Sequence, residues 1–192
     1  MLGLVVTVFA VAILGLFSSL FALVVTRVPV LRTPVEHLPA IAGELGALEG
    51  RRLVDAGCAD ARTLVQLCRL TGAQGVGYEL NGPVALVAAL RLLLTSGTGR
   101  TRVRWADYRR SDFEDVDAVY CFLMPSAMRT LADKCSEEMR VGGLLVSFMW
   151  PVPDREPLRT VQLGPRADPL FVYAVESLRS EQAERTGSSV SP

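Results

Sequence analysis

The chain has 192 residues, 50% of them hydrophobic, and Lys+Arg and Asp+Glu both number 20. A neutral balance gives no basis for a nucleic-acid partner, whose phosphates call for a basic surface. One histidine, His37, and four cysteines without CxxC spacing argue against a zinc site of the usual Cys/His type.

Leu2 to Val25 contains no charged side chain, and about 20 apolar residues span a bilayer as a helix. A cleaved secretory signal fits less well, since there is no positive segment before the run, the run is too long, and no clear A-x-A site follows. Residues 1–26 therefore read as a single-pass transmembrane anchor. Arg27 and Arg32 follow it and nothing basic precedes it, which places the rest of the chain in the cytoplasm. Residues 27–50 read as a linker and a leading helix. In Thr33-Pro34-Val35-Glu36, threonine caps, proline takes the first helical position and glutamate reaches back. The helix runs to about Leu48, with a kink or restart at Pro39.

Strands and helices then alternate. Leu53 to Ala56 is a short buried strand, and Asp60 to Leu70 a helix with Leu64, Val65, Leu67 and Cys68 on its apolar face. Gly75 to Glu79 is a second strand. Asn81 caps a helix with Pro83 in its first turn, running to about Thr95, and Ser96 to Gly99 form a turn. Thr101 to Trp105 is a third strand, whose Arg102 and Arg104 read as the charged face of an edge strand. Val116 to Phe122 is a fourth strand. A helix runs from Pro125 or Ser126 to about Met139, and Leu144 to Met149 is a fifth strand. Leu158 to Leu163 and Phe171 to Val175 read as a closing antiparallel hairpin. Residues 177–192 are polar and read as a tail without a fixed fold. Cys58, Cys68, Cys121 and Cys135 read as buried free thiols of a reducing compartment.

Open α/β sheets bind ligands at the carboxyl ends of their strands. Here the first strand ends in Asp55 and turns at Gly57, and the second ends in Glu79. An acid about 20 residues after a glycine turn is placed to accept both hydroxyls of a ribose. The turn, Asp55-Ala56-Gly57-Cys58-Ala59-Asp60-Ala61-Arg62, lacks the further glycines that let a backbone approach a pyrophosphate. A nucleoside ligand is thus favoured over NAD. Asp60 reads as the cap of the following helix. Asp107, just past the third strand, is a candidate for the adenine amino group. Cys121-Phe122-Leu123-Met124-Pro125 offers no acid or base at the carboxyl edge, which favours group transfer driven by positioning.

These residues resemble a class I S-adenosylmethionine-dependent methyltransferase. More narrowly, they resemble a small membrane-anchored family whose eukaryotic members are lysine methyltransferases of the ATP synthase c-subunit and the adenine nucleotide translocase. The likeness covers roughly Arg32 to Pro157. The Asp55 to Arg62 turn and Gly75-Val76-Gly77-Tyr78-Glu79 are its specific parts. It implies a Rossmann-like, mostly parallel seven-stranded sheet over residues 51–176, with S-adenosylmethionine as cofactor. It implies that Asp55 and Gly57 hold the methionine end, that Glu79 binds the ribose and that Asp107 lies near the adenine, with Cys58 and Phe122 as further cofactor-binding residues. The chain departs from the family in carrying Ala59 and Ala61 where glycine is usual. The segment from Met149 to Leu158 is also short for the helix that precedes the last hairpin. Two readings follow: a membrane-anchored methyltransferase with a protein-lysine or small-molecule acceptor, or a catalytically silent interaction protein that keeps the fold.

Overall fold

The computed structural model describes residues 2–26, 32–95 and 100–180. A helix, α1 (Leu2–Thr26), precedes a 3-10 turn (Val35–His37) and α2 (Leu38–Leu45). There follow β1 (Arg52–Ala56), α3 (Arg62–Thr71), β2 (Gln74–Glu79), α4 (Gly82–Leu94), β3 (Thr101–Trp105) and a 3-10 turn (Tyr108–Arg110). Then come β4 (Ala118–Cys121), α5 (Pro125–Glu138), β5 (Leu144–Phe148), β6 (Arg159–Leu163) and β7 (Asp168–Ala174).

The seven strands form one mixed sheet in the order β3-β2-β1-β4-β5-β7-β6. β1 to β5 are parallel, and β7 runs antiparallel to both β5 and β6. The strand order reverses between β1 and β4, which places the switch point at their carboxyl ends. β3 is an edge strand, as Arg102 and Arg104 suggest, and both arginines are exposed.

Strand alternation sends side chains to two cores. On one face Leu53, Tyr120, Val146 and Val172 meet Ile41 and Leu45 of α2 and Leu64 and Leu67 of α3. On the other, Val54, Val119, Leu145 and Tyr173 meet Met128, Leu131 and Cys135 of α5. All four cysteines are buried and unpaired.

β2 owes its place to two missing side chains. A Cβ on Gly75 would lie 2.4 Å from Cys68 Sγ, and one on Gly77 2.5 Å from Cys58 Sγ and 2.9 Å from Leu64 Cδ2. Glycine at both positions lets α3 and the turn before it rest directly on the strand.

Three expectations change. The helix from Thr33 to Leu48 is instead a 3-10 turn and a separate α2 with Pro39 in its first turn. Proline removes a backbone donor and restarts the helix there. Thr33 caps nothing; its hydroxyl meets Tyr120 Oη at 2.5 Å. His37 becomes a buried prop, bonded to Asp168 at 2.9 Å and tilted against Phe148 at 5.6 Å between ring centroids. The polar tail is helical over residues 175–180: Leu178 is buried, and Arg179 Nε donates to Ser136 O at 2.6 Å. The rest of the tail and the Ser96–Gly99 turn lie outside the described residues.

α1 (Leu2–Thr26) exposes apolar side chains, Val5, Phe9, Leu14 and Phe17 among them. Among the described residues no helix is long and apolar enough to cross a membrane, so the expected transmembrane span over residues 1–26 is not shown.

Gly77→Ala should lower stability by about 1–3 kcal/mol, because the new methyl has no room. Gly43→Ala, on α2 with nothing within 4 Å of the added Cβ, should raise it by about 0.5–1 kcal/mol. Urea titrations of both variants measure the difference.

Candidate functional site

The chain leaves β1 through a turn that the sheet itself holds. Gly57 N and Cys58 N both donate to Tyr78 O, at 3.0 and 2.9 Å. Three residues of the turn have left-handed backbones: Gly57 (φ 91°), Ala59 (φ 47°) and Ala61 (φ 59°). Gly57 needs its freedom twice, since a Cβ there would also lie 2.8 Å from Leu123 Cδ2. Ala59 and Ala61 adopt the conformation that glycine adopts more cheaply.

The turn, the end of β4 and the segment before α2 line a small hollow that is partly open to solvent. Asp55, Gly57, Cys58 and Phe122 are among the residues that line it. Glu79 meets it through Ala59: its Oε2 accepts from Ala59 N at 3.0 Å, and its Oε1 from Asn81 N at 2.8 Å. One carboxylate therefore joins the turn after β1 to the start of α4.

Asp107 sits apart from the hollow. It caps the 3-10 turn by accepting from Arg109 N at 3.0 Å, and it forms a forked pair with the Arg109 guanidinium, Nη2 at 2.7 Å. These bonds hold its carboxyl below the usual range. Asp107 lies beyond Ala106, whose N–H bonds to Glu79 O. It is thus near Glu79 along the carboxyl edge but does not line the hollow, and its oxygens are engaged locally.

The sequence reading missed several lining residues: Arg32, Thr33, Asp60, Thr63 and Tyr120. Thr33 and Asp60 are read as helix caps, and Tyr120 is hidden in a wholly buried strand. Asp60 lies outside α3, whose cap is Ala61 without a side-chain bond. Its Oδ1 accepts from Arg62 N at 3.3 Å, and its Oδ2 pairs with Arg91 at 3.2 Å. The only signal for Thr33 was its place beside Arg32 and Pro34.

Burial sets the electrostatics. Asp55 is 3% exposed, and its pKa is pushed up to about 8, first by burial and then by the Glu79 carboxylate. No cation pairs with it among the described residues. Burial raises the Tyr120 phenol well above its ordinary range, opposed by the Thr33 hydrogen bond. It also pushes the Cys58 thiol up, so Cys58 is a wall and not a nucleophile. The hollow thus holds one buried carboxyl group suited to a cationic ligand, a nearby carboxylate with spare lone pairs, and aromatic walls.

The sequence profile of the ANTKMT methyltransferase domain family matches residues 55–159. The chain is 31% identical to the mouse adenine nucleotide translocase lysine N-methyltransferase over 155 residues, which cover 78% of this chain and 66% of that protein. It therefore spans about two thirds of that relative's length. It is 26% identical to the rat lysine N-methyltransferase of the ATP synthase c-subunit over 181 residues, covering 93% of this chain and 80% of that one. The fold is similar to an RNA methyltransferase from Salinibacter ruber solved with S-adenosyl-L-homocysteine. That likeness has a TM-score of 0.71 at 23% identity, over 76% of this chain and 94% of that chain.

The two alanines predict unequal responses. Ala59→Gly should stabilise the protein by about 0.5–1 kcal/mol, since relief of the left-handed strain exceeds the added unfolded-state entropy. Ala61→Gly should be close to neutral, because the fully buried methyl it loses is worth about 0.8 kcal/mol. Thermal unfolding of the single variants measures both.

Proposed function

Since the chain belongs to the ANTKMT methyltransferase family, we propose that it transfers a methyl group from S-adenosylmethionine to lysine side chains of a membrane protein. Within that reading, the buried Asp55 carboxyl carries the argument. A group so deeply desolvated, with no cation beside it, suits the ammonium of an amino-acid-bearing ligand. The cofactor supplies an activated methyl group, and the protein supplies alignment and dryness.

Asp55 takes the amino group, and Gly57 gives the room for the methionine portion. Each oxygen of Glu79 accepts one backbone N–H and keeps a lone pair for a ribose hydroxyl. Cys58 and Phe122 form apolar walls. Asp107 contributes to the adenine end only by giving up part of its pairing with Arg109. A lysine acceptor attacks only when neutral, and the Phe122 to Met124 segment offers the apolar surroundings that favour the neutral form. Both relatives are named for lysine methylation of a partner protein, the translocase in one case and the ATP synthase c-subunit in the other, which supports this acceptor class.

The left-handed backbone of Ala59 and Ala61 weakens the catalytically silent alternative. The turn already has the glycine-like shape, so the methyl groups do not straighten it. We further propose that α1 keeps the protein on a membrane, with the domain on the cytoplasmic side. The apolar composition of Leu2–Thr26 and the arginines at positions 27 and 32 support this.

Two measurements test the reading. Asp55 is protonated below about pH 8 in the ligand-free protein and must ionise to pair with an ammonium. Affinity for S-adenosylmethionine should therefore rise with pH from 6 toward 8, by up to tenfold per unit, and fall again as the ligand's own amine deprotonates near about 8. Calorimetry of the full chain in detergent should show that rise, with proton release, and Asp55→Asn should abolish it. Binding of NAD in place of S-adenosylmethionine would end the methyltransferase assignment. For location, cell fractionation should leave the protein in the membrane pellet with its N-terminus intact, and protease added from outside should not reach the domain. A soluble product starting beyond residue 22 would remove α1 from the proposal.

A further inference from the structure

The outward face of α4 has no polar character. Gly82–Leu94 reads GPVALVAALRLLL and holds one charged residue, Arg91. Arg91 turns inward, where its Nη2 donates to Asp60 at 3.2 Å on the wall of the hollow. Only Ala85 and Ala88 are buried. Leu86, Val87 and Leu90 are exposed, and Leu93 and Leu94 are 82% and 86% exposed. Trp105, 74% exposed, extends the patch at the helix start, where its ring lies against Gly82 and its Nε1 donates to Leu80 O at 3.1 Å. Small residues inward and large aliphatics outward invert the pattern of a water-facing helix.

α1 indicates what covers this face. It packs against α4. Its Val5, Val6, Val8, Val11 and Leu14 are all exposed, and at 3.6 residues per turn these positions fall around the whole helix. A folded protein partner covers one stripe of a helix. A fluid apolar phase touches every side. α4 is continuous with that all-round apolar surface and carries no outward charge.

We propose that α4 lies in the surface of the same bilayer that receives α1. Its leucines enter the acyl region, and Trp105 sits at headgroup level. This inference rests on the membrane reading of α1. The Arg91–Asp60 bond then ties the membrane-facing helix to the wall of the hollow, so the hollow is held at the bilayer surface. Acceptor lysines close to the membrane fall within its reach, and lysines deep in aqueous domains do not.

The test uses the full chain reconstituted into vesicles of phosphatidylcholine and phosphatidylglycerol. The four native cysteines are buried, so a thiol-reactive fluorophore reports a single introduced cysteine. Leu90→Cys and Leu93→Cys place it on α4, and Val141→Cys, exposed on the loop before β5, is the control. Doxyl-labelled phosphatidylcholine should quench the α4 labels several-fold more than the control, and aqueous iodide should do the reverse. Vesicle-bound protein whose α4 labels are open to iodide would overturn the α4 proposal and leave α1 standing. Labels shielded from both quenchers would overturn it in favour of a protein interface, such as a second copy of the chain. Protein that does not associate with the vesicles would overturn both.

Discussion

The hydrogen bonds accepted by Glu79 hold the chemical end of this molecule together. Its two oxygens take the N–H groups of Ala59 and Asn81, and so fix the turn after β1 to the start of α4. The turn needs such a tether, because Gly57, Ala59 and Ala61 all have left-handed backbones, and the two alanines carry strain of about 1–2 kcal/mol each. Tyr78 O adds a second hold through Gly57 N and Cys58 N. A strained turn without these partners would relax toward an ordinary helix start and close the hollow. Glu79 therefore has a structural duty that any ligand shares with the fold.

The same economy governs β2. Gly75 and Gly77 carry no side chain, so Cys58, Leu64 and Cys68 press onto the strand itself. That close contact brings α3, with the turn before it, and β2 near enough for Glu79 to reach Ala59. It also dries the end of β1, where Asp55 sits with its pKa lifted to about 8. The ligand-free protein stores this cost as a pH dependence. Folded Asp55 keeps a proton that the unfolded chain gives up near its ordinary pKa of 3.8, so stability falls as pH rises from about 4 to about 8.

At the other side of the sheet, the short connection from β5 to β6 contains no helix and is held by side chains. Ser147 Oγ donates to Trp150 O at 2.6 Å, Val152 N donates to Tyr173 Oη at 2.9 Å, and Arg155 Nη1 donates to Leu178 O at 3.1 Å. These bonds pin the loop to the closing hairpin and to the helical residues 175–180. Part of the polar tail is thereby recruited into the core, through Leu178.

The sequence by itself determined the elements whose signals are local. Asn81 and Pro83 mark the start of α4, and alternating strands and helices give the sheet. Spacing also picked out Asp55, Gly57 and Glu79, because the end of a buried strand and a glycine turn are both visible in a string of residues. Tertiary structure decided which neighbours those residues meet. Thr33 looks like a cap until Tyr120, 87 positions away, takes its hydroxyl. Asp107 looks like a free acid until Arg109 folds back onto it. Leu178 looks like the start of a loose tail until the core beneath α5 has room for it. Periodicity and capping report on bonds within a few residues along the chain. Burial, pairing and the shift at Asp55 depend on atoms brought together by folding.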